Sequence, residues 1–154
     1  MTTIEIRVLL NDLENDRIER TISTTNTDKF ANSPSQVVVV KARKNALNAV
    51  IPSTVKINEV DYTVVSIASG AFKECVNLLS VTIPKGVVSI GSSVFKDCYD
   101  LETVRCKMPN PCEISNDVFT GQTYNNAKLY VPKGSKHFYE LTYNWNYFSN
   151  IVEE

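Results

Sequence analysis

Apolar and polar positions between Val65 and Cys106 follow one order twice, 23 residues apart. VSIASGAFKECVNLLSVTIP, from Val65 to Pro84, is followed by VSIGSSVFKDCYDLETVRC, from Val88 to Cys106. Ile67 returns as Ile90, Phe72 as Phe95, Cys75 as Cys98, Leu78 as Leu101 and Val81 as Val104. A fixed period in the low twenties, with apolar residues at constant offsets, is the pattern of a solenoid whose coils bury their apolar sides against each other. Such a scaffold displays surfaces more than it encloses pockets. It favours a binding module over an enzyme.

Weaker copies extend the register. Ile114, Val118 and Phe119 lie 24 residues beyond Ile90, Val94 and Phe95, and Leu129, Val131 and Pro132 repeat the ending Val81, Ile83 and Pro84. Upstream, Ala49 to Pro52 resembles Val81 to Pro84, but 32 residues earlier. The excess, KINEVDY, predicts a tight turn between Ile57 and Val64 with Asn58 and Asp61 as turn residues. About three coils are expected, close to the minimum for a stable stack.

Within a coil, L-x-x-V-x-I spacing places Val81 and Ile83 on one face of a strand, with Ser80 and Thr82 on the other. Pro84 ends that strand because it has no N–H for a ladder. Val65 and Ile67 predict a second short strand. SGAFKEC between the two has room for one helical turn, with Ser69 as its candidate cap. Each coil is therefore expected to run strand, helical turn, strand.

The pattern I-x-x-x-A-F-x-x-C-x-x-L-x-x-V-x-I-P resembles the BspA-type leucine-rich repeat of bacterial surface and secreted proteins, over roughly Gln36 to Glu154. CKMPNPCEI, DVF and LYVPKGS, with Tyr139, Trp145, Phe148 and Ile151, are similar to the last repeat and C-terminal cap of Bacteroides-like members. The resemblance implies a β-rich (α+β) solenoid with short helical turns and a C-terminal cap from about residue 133. It also implies an adhesion-type module, at the cell surface or secreted, with a protein or glycan as partner.

The chain has 154 residues, one-domain length, with 16 basic against 17 acidic residues and a net charge of −1. These totals make no electrostatic case for nucleic acid. No apolar run reaches the roughly 18 residues of a membrane span. MTTIEIRVLLNDLEND has no basic start followed by a long apolar stretch, so no export signal is expected there.

Residues 1–35 form a leader segment distinct from the repeat domain at 36–154. TIEIRVLL alternates Ile4, Ile6 and Val8 with Glu5 and Arg7, a strand pattern. NDLENDRIER fits one or two helical turns, and RTISTTNTDKFANSPS reads as loop. LNDLENDRIERTISTTNTDKF is similar to the opening of AlbA-like, Schlafen-type DNA-binding domains, and the likeness stops near Phe30. It suggests a remnant of another domain. The alternative function is an intracellular, cytoplasmic protein with regulatory or nucleic-acid contacts through this segment.

The four cysteines fit no metal motif, because Cys75 and Cys98 lie a repeat apart and Cys106 with Cys112 lacks ligand spacing. Cys75 and Cys98 share an inward repeat position, Cys106 replaces Ile83 and Cys112 replaces Val88, so all four are expected as unbridged, poorly reactive thiols. No cofactor motif, phosphate loop or nucleophile elbow is present. His137, the single histidine, falls in a short helix with Ser135 as cap and reads as solvated. The acid pairs Asp12/Glu14 and Asp97/Asp100 read as exposed charges. Tyr139, Trp145, Tyr147 and Phe148 could form a sugar-stacking platform, but by the resemblance Tyr139, Trp145 and Phe148 close the solenoid end. The candidate binding face is then the outward side of three successive strands: Ser80 and Thr82, Thr103 and Arg105, Lys128 and Tyr130.

Overall fold

The computed structural model describes residues 3–4, 6–10, 19–22, 36–39, 41–42, 44–57 and 59–154. Five short strands come first: β1 (Thr3–Ile4), β2 (Ile6–Leu10), β3 (Glu19–Ile22), β4 (Gln36–Val39) and β5 (Lys41–Ala42). The repeat stack follows with β6 (Asn48–Val50), β7 (Thr54–Ile57), β8 (Val60–Ile67), β9 (Ser80–Ile83), β10 (Ser89–Ile90) and β11 (Thr103–Cys106). Helix α1 (Gly121–Asn126) leads to β12 (Lys128–Val131). Helix α2 (Lys136–Leu141) and a 3-10 turn at Trp145–Tyr147 lead to β13 (Asn150–Glu153).

The L-x-x-V-x-I strands build one parallel sheet in the order β13-β12-β11-β9-β6. Its register is unbroken: Ala49, Val81, Val104, Leu129 and Ile151 lie side by side. All five are buried, as the period-two alternation requires. Cys106 pairs with Ile83, the substitution expected from the repeat. The 32-residue step before Val81 is also explained, because Ala49 sits directly beside it.

On the opposite flank, β10 pairs with β8 in parallel over only two residues, and β4 and β1 extend that sheet beyond β8. A third sheet has the order β3-β2-β5. Between the flanks Phe72, Phe95 and Phe119 stack with ring centroids 5.1 and 5.2 Å apart. The column ends in edge-on contacts from Phe119 to Tyr124, Trp145 and Phe148. The Trp145 indole donates to the Cys112 carbonyl at 2.8 Å and the Tyr139 hydroxyl to the Met108 carbonyl at 2.7 Å, which ties the 108–112 loop to the last turn of the chain.

Several local expectations are corrected. The segment between flanks is a run of three-residue turns, Lys73 N–H to the Gly70 carbonyl and Cys75 N–H to the Phe72 carbonyl, with no α-helix assigned. Ser69 does not cap its own turn; its hydroxyl accepts from the Ser92 N–H of the next coil at 3.1 Å. KINEVDY is a hairpin in which Ile57 pairs with Val60, so Asp61 lies within β8 opposite Lys56 and is not a turn residue. Ser135 precedes α2 without a side-chain capping bond. Instead the Glu153 carboxylate accepts the Gly134 and Lys136 N–H groups, both at 3.0 Å. Glu19–Ile22 form strand β3, where the sequence pattern predicts the end of a helix and the start of a loop. Residues 11–18 and 23–35 lie outside the described residues.

Candidate binding face and the groove beside it

The sheet register assembles the candidate face from three neighbouring strands. Thr103 lies between Ser80 and Lys128, and Arg105 lies between Thr82 and Tyr130. Two rows of outward side chains therefore cross the sheet, and strand spacing of roughly 4.8 Å brings neighbours into contact. The rows continue into residues that the sequence did not single out: Asn48 and Asn150 in the first, Val50 and Val152 in the second. Ser80 donates to the Asn48 carboxamide oxygen at 2.6 Å.

Arg105 is held from two sides. Its guanidinium carbon lies 4.6 Å from the Tyr130 ring centroid, a cation–π contact. Its Nε donates to both oxygens of the Glu154 carboxylate, at 3.0 and 3.1 Å, and Lys107 Nζ reaches the same group at 3.2 Å. Desolvation pushes the Glu154 carboxyl up, but the bonds from Arg105 and Lys107 outweigh it and its pKa lies below the ordinary value. Glu154 was not among the candidates because it lies 49 residues from Arg105, outside any repeat offset.

A groove of about 520 Å³ runs past the C-terminal ends of these strands. Ile51, Pro84 and Cys106, all buried, form its floor, and Val50, Pro52 and Pro132 its shoulders. Thr82, Lys85, Lys107 and Glu154 stand at its rim. One signal could have revealed it: a lysine recurs just past three strand ends, at Lys85, Lys107 and Lys133.

The remaining candidates fall into structural roles. None of the four cysteines is in a disulfide. Burial raises all four thiol pKa values, that of Cys98 to about 12, and the Cys98 Sγ–H points to the Phe72 carbonyl at 3.1 Å. Cys112 is half-buried, more open than the other three. Tyr139, Trp145 and Phe148 are buried. Tyr143 and Tyr147 are exposed, but their rings meet at 66°, which offers no flat platform. His137 is exposed and packs on Phe138. Asp97 accepts from the Tyr99 hydroxyl at 3.0 Å, and Asp12 and Glu14 lie outside the described residues. Among the described residues no group of three His, Cys, Asp or Glu could hold a metal, and no helix is long and apolar enough to cross a membrane.

No curated protein matches the chain. A solved structure similar to it is that of a leucine-rich repeat protein from Bacteroides capillosus, 21% identical, with a TM-score of 0.48 over 76% of this chain and 86% of that one. The model of the family described as "BspA type Leucine rich repeat region (6 copies)" matches residues 48–151, well over half of the 154. That match lies within the strand stack and lends nothing to a nucleic-acid role for residues 1–35. Repeats of this kind are generally non-enzymatic scaffolds for protein interaction. Matched by that family model from the start of β6 into β13, the chain belongs to the BspA-type leucine-rich repeat family.

Proposed function

We propose that this chain is a cell-surface interaction module that binds a protein partner through the outward face of its five-stranded sheet. The observation that supports this most is the Arg105–Tyr130 pair in the middle of the second of two in-register rows of outward side chains. Arg and Tyr are the residue types that most often dominate binding energy, and here each restrains the other, so less conformational freedom is lost on docking. A glycan is the weaker reading. Sugar stacking needs an open aromatic face, and one face of Tyr130 is covered by the guanidinium.

The test is a binding panel of extracellular matrix proteins and polysaccharides, run on the wild type and on Arg105→Ala with Tyr130→Ala. A protein ligand should lose about 1–2 kcal/mol or more for each substitution, with thermal stability kept. Unchanged affinity in the double variant would sink the proposed face. Protease treatment of intact cells tests location: a surface protein is removed, an internal one survives.

A further inference from the structure

We infer that the groove at the strand ends takes an extended, acidic segment of a protein partner, with an apolar side chain on the floor and a carboxylate between Arg105 and Lys107. This rests on the sheet-face reading above, since Thr82 and Arg105 border both surfaces.

Size comes first. The groove crosses the ends of five strands, from Val50 at the end of β6 to Glu154 just beyond β13. At roughly 4.8 Å per strand this is about 19 Å, the length of about six extended residues. Its volume of about 520 Å³ lies in the range of clefts that hold ligands.

Chemistry comes next. The floor is apolar and flanked by proline, and proline offers no N–H to an added strand, so side-chain burial dominates over ladder pairing. The rim is cationic. Lys85 and Lys107 line it, Arg105 borders it, and Lys133 follows the lining residue Pro132. Glu154 is the one acid in the lining. Among the described residues, no ion pair holds Lys85 or Lys133. The other acid near this end, Glu153, is turned to the backbone of Gly134 and Lys136. Glu154 itself shows what the rim accepts. Its carboxylate, gripped by Arg105 and Lys107, occupies the position that a partner's Asp or Glu would take. A partner must displace it, which makes Glu154 an internal competitor for the site.

The probe is a fluorescein-labelled hexapeptide alternating leucine and glutamate, with its leucine–glutamine counterpart and heparin as comparisons, followed by fluorescence anisotropy. The acidic peptide should bind and the glutamine peptide should bind at least about tenfold more weakly. Glu154→Gln should tighten the acidic peptide about threefold by releasing Arg105 and Lys107. Lys85→Glu with Lys107→Glu should weaken it about tenfold, with circular dichroism confirming that each variant is folded. Equal binding of the two peptides, binding of heparin alone, or no gain in Glu154→Gln overturns the inference. The two readings fail separately. Acidic-peptide binding that survives Tyr130→Ala, with no panel protein bound, removes the sheet face alone. A panel protein lost on Arg105→Ala with Tyr130→Ala, while no peptide enters the groove, removes the groove alone.

Discussion

Each coil has two polar flanks, and they use their polar residues in opposite ways. On the flank that carries β8 and β10, Ser66 and Ser89 hydrogen-bond at 2.6 Å, Ser92 bonds to Ser69, and Ser93 donates to Asp117 at 2.5 Å. Strand pairing between β8 and β10 covers only two residues, and side chains join these coils where the ladder does not. On the flank built from β6, β9, β11, β12 and β13 the backbone ladder is continuous across every neighbour. Side chains there add the Ser80–Asn48 bond and the Arg105 contacts to Tyr130 and Glu154 to a ladder that is already complete, and Thr82, Thr103 and Lys128 remain outward. A surface is available to a partner where the backbone alone satisfies the stack.

Phe95→Ala breaks both flanks together, because Phe95 lies between Phe72 and Phe119 in the column that joins them. It should cost about 3–5 kcal/mol, seen as a lower urea midpoint, and an unchanged midpoint would contradict the column. Gly91→Ala strikes the serine flank alone. A Cβ there would stand 2.4 Å from the Ser69 backbone N and 2.7 Å from its Cα, atoms that cannot rotate away. The expected loss is about 1–3 kcal/mol, and a neutral result would mean that the coils separate easily on this side.

Asp117 gives the serine flank a pH signature. Hydrogen bonds from Ser115 and then Ser93 hold its carboxyl down at about 2. A folded pKa below the unfolded value, about 3.9, adds stability above that pH, and the gain is lost as pH falls from about 4 towards 2. Ser93→Ala should raise the Asp117 pKa in a carbon-detected NMR titration and cost about 1 kcal/mol at neutral pH. The smallest effect belongs to the other flank. Arg105→Ala with Tyr130→Ala should change stability by only about 0.5 kcal/mol per site, measured by thermal melting, since the ladder beneath is untouched. A large loss would show that this face too is needed to hold the coils together.

Much of the stack was legible because its information is local and repeated. Val81, Val104 and Leu129 sit at the same offset in each copy, and parallel pairing converts equal offsets into neighbours. The same logic links Gly70 to Ser93, which share a positive φ of 70° and 57°, and Glu74 to Asp97, at 61° and 62°. The non-glycine members were invisible in sequence, because a left-handed turn tolerates polar residues when bonds such as Ser93 to Asp117 support it. The helical turn expected from Phe72, Cys75 and Leu78 failed for a related reason. Spacing of i, i+3, i+6 fits successive three-residue turns as well as a helix, and Phe72 and Glu74 donate their N–H groups to Val94 and Lys96 of the next coil.

By itself, then, the sequence determined the repeat period, the buried column, the strand register and the family, since each depends on residue size at a constant offset. Only the tertiary structure decided that Glu154 closes on Arg105 and Lys107, that Glu153 rather than Ser135 meets the start of α2, and that strand ends form a groove. The bonds of Glu153 to the start of α2 and of Glu154 to Arg105 join residues separated by 17 to 49 positions at no repeat offset. Where the chain bends at its last turns sets them, and that bend follows from how Tyr139, Trp145 and Phe148 pack against Phe119 and the 108–112 loop.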